Sequence, residues 1–207
     1  MKRTYLLLGA LAAAAGCASA VPGGAAAGDV DVSLSTPSVA ELDAAYTSST
    51  IDVSSRIATL DRYRRSIEQR LPVADLALAG MTLTKRSLTL PAHAFADVTD
   101  EEWATMETFY DGNELKRLRL IPRSGAKPET EEFYFNNGNL VFVYYEPDGA
   151  AKSERHAEAD GDSFYFGSEG LIAWVRADGT RVDPNDPEFK HWSAQLLKEA
   201  ARFPRGS

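Results

Sequence analysis

A single cysteine, Cys17, is all the thiol in this 207-residue chain. No internal disulfide can form, whatever the redox state of its compartment. Histidine is nearly as scarce: His93, His156 and His191 are the three, and no two stand at a metal-ligand spacing. Cations are the minority charge, 22 Lys and Arg against 30 Asp and Glu, for a net charge of -8. Such a chain repels nucleic acid, so no nucleic-acid partner is expected. After the N-terminal apolar run no second one reaches membrane-spanning length. No phosphate loop or dinucleotide fingerprint occurs, because the glycines fall in turns and none opens a helix after a strand. Gly167-Ser168-Glu169-Gly170 lacks the spacing of a nucleophile elbow and reads as a hairpin turn. With no assembled catalytic group, cofactor motif or metal cluster, the sequence points away from an enzyme.

What is present begins at the N-terminus. Lys2 and Arg3 precede an apolar stretch from Tyr5 to Ala15, then Gly16-Cys17. Cations, a short apolar core and small residues before a cut form an export signal, here residues 1–16. Ala14-Ala15-Gly16-Cys17 fits a lipoprotein signal, with Cys17 as the acylated residue, although alanine replaces the usual leucine. Ala18-Ser19-Ala20 offers an alternative, ordinary cut before Val21, which would leave a soluble periplasmic or secreted protein. Removing Lys2 and Arg3 takes the net charge from -8 to -10. Ala18 after the cysteine favours the outer membrane in an organism that has one. The membrane is therefore expected as a partner through the lipid alone.

Residues 17–37 read as a tether. Gly23-Gly24-Ala25-Ala26-Ala27-Gly28 is featureless and Ser33 to Ser38 is rich in Ser, Thr and Pro. About 16 flexible residues reach roughly 20–25 Å. The rest, 38–204, has the length of one domain, and 44% hydrophobic and 10% aromatic residues suit a folded body.

Ser38-Val39-Ala40-Glu41 has capping-box spacing and predicts a short helix through Leu42 and Tyr46. Val53, Ile57, Leu60, Ile67 and Leu71 recur at helical spacing over 52–71, with Arg56, Arg62, Arg65, Glu68 and Arg70 on the other faces. Met81-Thr82-Leu83-Thr84 and Leu88-Thr89-Leu90 alternate like two strands, with Lys85-Arg86-Ser87 as a turn between them. Asp186 and Pro187 open a last helix over 187–202, with Phe189, Trp192, Leu196, Leu197 and Ala200 as its apolar face.

Between these helices the chain repeats itself. Phe109-Tyr110-Asp111-Gly112-Asn113-Glu114-Leu115 is followed by Phe133-Tyr134-Phe135-Asn136-Asn137-Gly138-Asn139-Leu140, then by Phe164-Tyr165-Phe166-Gly167-Ser168-Glu169-Gly170-Leu171. Each unit is an aromatic strand end, a tight turn and a returning strand that opens on leucine. The predicted fold is α+β: an antiparallel meander of about three hairpins over 103–176, packed with an N-terminal amphipathic helix and a C-terminal helix. Period two places Leu118 and Leu120 opposite a wet face of Arg117 and Arg119. It places Leu140, Phe142 and Tyr144 opposite Val141, Val143 and Tyr145, the pattern of a central strand, and Ile172 and Trp174 opposite Leu171, Ala173 and Val175.

These hairpins, with Asp178-Gly179, Pro184, Pro187 and the helix from Phe189 to Arg202, resemble those of an uncharacterised group of exported bacterial proteins and lipoproteins. The similarity covers about half of the chain, from Trp103 onward, and extends more loosely to the aromatic-glycine repeats of membrane-occupation-type modules. The resemblance implies a fold and an address, but no site.

Two residue sets are candidates for function. The hairpins carry more aromatics than one sheet face needs, so Tyr134, Tyr144, Tyr145, Tyr165 and Trp174 are the candidate binding surface, a platform for an envelope protein, peptide or glycan. The alternative account is that helices cover both sheet faces. The second set is Glu154, Glu158, Asp160 and Asp162, the densest acid supply for a hydrolase whose carboxyls meet only in the fold. Neither this run nor Asp178 to Glu188 has the ligand pattern of a calcium loop, so no metal is expected. The expected function is a non-catalytic binding or assembly module of the envelope; the alternative is that acidic hydrolase.

Overall fold

A computed structural model of the chain describes residues 35–72, 82–91, 94, 103–123, 130–146 and 161–203. The signal, Cys17 and most of the expected tether lie outside the described residues, as do Glu154, Glu158, Asp160, His93 and His156. The fold is α+β. Helices α1 (Val39–Thr47) and α2 (Val53–Glu68) precede seven strands, and α3 (Pro187–Ala200) follows them. The strands are β1 (Thr84–Thr89), β2 (Trp103–Asp111), β3 (Glu114–Pro122), β4 (Thr130–Asn136), β5 (Asn139–Glu146), β6 (Ser163–Gly167) and β7 (Gly170–Val175). They lie side by side in chain order, every pair antiparallel.

The helix starts follow their local chemistry. Ser38 Oγ accepts from Glu41 N at 3.2 Å, and Glu41 Oε2 accepts from Ser38 N at 2.7 Å, a complete capping box. Asp52 caps α2 by accepting from Ser55 N at 3.0 Å. Asp186 caps α3 from Glu188 N at 2.9 Å, with Pro187 in the first turn, where its missing N–H costs nothing.

Two of the turns force their residues. Asn137 and Gly138 have φ of 50° and 73°, the pair of positive values that a two-residue hairpin demands. Gly167 meets a different constraint, since a Cβ there would fall on Arg56 Nη2 and on the carbonyl of Tyr46.

Each of the three hairpins carries a bulge at the same place. Phe109 pairs with Arg117 while Tyr110 pairs with Leu115, so Lys116 is the extra residue. Val141 and Ile172 are its counterparts in the other two hairpins. A bulge resets the alternation of side chains beyond it. The strict period-two assignment is therefore corrected: Leu140 shares a face with Val143 and Tyr145, while Val141 joins Phe142 and Tyr144. Likewise Leu171 lies with Trp174, and Ile172 with Ala173 and Val175.

The result is three layers. On one face Leu60, Tyr63 and Ile67 of α2 and Leu42 and Ala45 of α1 pack on Phe109, Tyr134, Phe142 and Tyr165. On the other, Phe189, Leu196 and Ala200 of α3 pack on Leu118, Phe133, Val143, Phe164 and Trp174. β5 lies inside the sheet between β4 and β6, as the apolar run predicts for a central strand.

Four other expectations change. Lys85-Arg86-Ser87 is no turn but the middle of one strand, β1, which borders β2 throughout. Arg56 is buried, not on a wet helix face: its Nε donates to Ala45 O at 2.7 Å, and its guanidinium grips Glu169 in the β6–β7 turn at 2.5 and 3.1 Å. Arg117 is buried too, paired with Glu132. Val53 and Leu197, assigned to apolar stripes, are exposed at the margins of their helices. Among the described residues no helix is long and apolar enough to cross a membrane.

Candidate binding site

The aromatic platform is corrected by burial. Tyr134, Tyr145, Tyr165 and Trp174 are core residues, and Tyr144 is half-buried against the α1–α2 layer. The reason is the second helical layer: α3 covers one sheet face while α1 and α2 cover the other, so rings on both faces pack inward. Phe142 sits edge-on to Tyr134 at 5.5 Å and to Tyr165 at 5.0 Å. Trp192 of α3 closes over Tyr145, Phe164 and Trp174 at 5.7, 5.4 and 6.1 Å.

The polar ends of these rings are committed as well. Tyr134 Oη donates to Glu132 Oε2 at 2.9 Å and lies 3.1 Å from Glu68 Oε1. Tyr165 Oη donates to Asp61 Oδ1 at 3.0 Å. Burial, with the neighbouring carboxylates, holds both phenols far above their ordinary value, so neither ionises. Arg64 bridges Asp61 and Glu68, at 3.6 and 2.7 Å, and Arg117 and Arg119 flank Glu132. Three acids and three arginines thus balance along the seam between α2 and the sheet.

The acids of the hydrolase reading are not gathered by the described structure. Asp162, the only one of the four within it, is bound to structure: Trp174 Nε1 donates to its Oδ2 at 2.5 Å and Ala177 N to its Oδ1 at 2.9 Å. His191 is exposed on α3. Among the described residues no group of three His, Cys, Asp or Glu converges as a metal site.

A concavity lies at the turn end of the sheet. A cavity of about 460 Å³ opens between the β2–β3 and β4–β5 turns, beside the end of α3. Its floor is Leu115, Phe135 and Phe203, and its rim is Asn113, Glu114, Asn137, Gly138 and Asn139. Glu114 ties the two turns together, accepting from Asn137 N at 2.7 Å. Lys116 neutralises it at 2.6 Å. The rim therefore offers exposed carboxamides, each a donor and an acceptor, and no uncompensated charge. Sequence reasoning treated these asparagines as turn residues only. The available signal was their recurrence at successive turns, which a meander stacks side by side.

Compared with known proteins, the chain matches no family model, no curated protein and no solved structure.

Proposed function

We propose that this chain is an exported, lipid-anchored binding module of the cell envelope, held by Cys17 and a flexible tether. Its ligand site is the cavity at the hairpin turns. The observation that carries the reading is that cavity: its volume suits a small ligand or a short segment of a larger one, over an apolar floor. The charge-compensated amide rim favours an uncharged ligand rich in hydroxyl or amide groups, a glycan or an uncharged peptide. Groups that pair a donor with an acceptor match the vicinal hydroxyls of a sugar.

The test is titration of the purified protein with neutral mono- and disaccharides and uncharged peptides, followed by amide chemical shifts. Shifts should concentrate at residues 113–115 and 137–139. The double variant Asn113→Ala/Asn139→Ala should weaken binding by about tenfold or more with little change in melting temperature, since each lost hydrogen bond is worth about 1 kcal/mol. Shifts that cluster elsewhere, or none with any of the probes, would reject the site.

A further inference from the structure

The two edges of the sheet are finished differently. Beyond β7 the chain folds back on itself: Arg181 bridges Val175, Arg176 N donates to Thr180 O at 2.8 Å, and Val182 N donates to Trp174 O at 3.0 Å. At β1 no described residue takes the outer side. All six residues of β1 are exposed, and Leu88 shows 55% of its surface.

The ladder fixes which groups are open. Leu90 N donates to Ala104 O at 2.9 Å, so by the alternation of antiparallel pairs Thr84, Arg86 and Leu88 bond to β2. The N–H and C=O of Lys85, Ser87 and Thr89 therefore point away from the sheet. Lysine and arginine on an edge usually repel a further strand. Here both are engaged at home: Lys85 is paired with Glu107, and the Arg86 guanidinium stacks 4.7 Å over the Tyr110 ring.

We infer that two copies of this chain join edge to edge through β1, antiparallel about a two-fold axis at Ser87, which continues the sheet from one copy into the other. The open groups allow registers centred on any residue from 85 to 89. Centring on Arg86 sets arginine against the partner subunit's Arg86, and centring on Leu88 leaves two fully bonded facing pairs where a centre at Ser87 makes three. Centring on Lys85 sets lysine directly against the partner subunit's Lys85, which is repulsive. Centring on Thr89 brings Pro91, which has no N–H, into the ladder. Centring on Ser87 sets Lys85 against the partner subunit's Thr89 and Ser87 against the partner subunit's Ser87. On the other face Leu88 lies beside the aliphatic stem of the partner subunit's Arg86, which covers the exposed leucine. No like charges meet. The contact is one short strand per copy, so the dimer is weak and concentration-dependent.

Sedimentation equilibrium of the purified chain carrying Cys17→Ser should show mass rising toward twice the monomer as concentration increases. Ser87→Pro should remain monomeric with an unchanged far-ultraviolet spectrum, because the N–H it removes bonds nothing within its own chain. In the Cys17→Ser background, Ser87→Cys should form disulfide-linked dimers under mild oxidation much faster than Ser168→Cys, an exposed position in a distant turn. A chain that stays monomeric at every concentration overturns the inference, as does a dimer that survives Ser87→Pro. If Ser87→Pro fails to fold, cross-linking of Ser87→Cys no faster than the Ser168→Cys control overturns it.

Discussion

Glu199 is the side chain most at odds with its surroundings. It lies on α3 with 0% of its surface exposed, under the apolar sheet face, where its carboxyl meets that of Glu131 on β4. Burial pushes it up to about 7 from an ordinary 4.5. Because its folded-state value is raised, the folded protein holds this proton more tightly than the unfolded chain. The contribution is full below pH 4.5, falls as pH rises toward 7 and is gone above it. Carboxylates such as Asp111, held low by Arg70, and Glu169, held low by Arg56, lose stability in acid instead, so the total profile mixes both. Comparing wild type with Glu199→Gln separates them. The amide keeps the neutral shape, so at pH 8 the variant should be the more stable by a few kcal/mol, and at pH 4 the two should melt together. Equal melting temperatures at both pH values would show that Glu199 ionises in the fold at no cost.

At the scale of elements, the bulged hairpin is the repeating device. Its three copies put leucine on the α3 side, step past one residue, and return Arg117, Phe142 and Ala173 in turn to the α2 side. β5 shows what depends on it. Val143 faces α3 and Phe142 faces α2, with 0% and 1% exposed, so Val143→Asp and Phe142→Asp each bury an unpaired charge. Either should cost about 4 kcal/mol or more and abolish the cooperative thermal transition seen by circular dichroism. A near-native melt would place the strand at an edge. The hairpins were legible because Asn-Gly and Asp-Gly turns and paired aromatics have strong local causes. The bulges were not, since nothing in Leu140-Val141-Phe142 says that the count slips by one; only the pairing does. β1 reads as two strands and a turn for a related reason: its middle, Lys85-Arg86-Ser87, is exposed on both faces and carries no apolar residue to mark a strand. The burial of Arg56, Arg117, Glu132 and Glu199 is not legible in the sequence, because charge alone does not reveal a buried partner. For the cavity the sequence contained every rim residue, but not the stacking of two turns that makes a rim of them.

For the whole molecule, the layering decides where function can reside. With helices on both faces, the aromatic surplus is spent on cohesion, and among the described residues the sheet itself is left open at the turn end and along the β1 edge. The proposed address is tested on intact cells. A palmitate analogue should label the wild-type chain, and Cys17→Ser should abolish the label and release the protein into the soluble fraction. An unlabelled wild-type protein that begins at Val21 would remove the anchor and keep the export.

The unbroken strand order bears on how such a chain acquires its shape. Every strand pairs with the one before it, so each ladder closes only the loop between two neighbours, and no strand waits for a distant segment. Sheets of local pairings carry a small loop-closure cost and fold faster than those with crossovers. A polypeptide threaded N-terminus first through a narrow channel could add strands in the order of their arrival. The last of the described elements in chain order, α3, is also the one that seals the aromatic face. Until it arrives, that face is the part of the nascent protein most exposed to misassembly, and the stage at which a chaperone has something to hold.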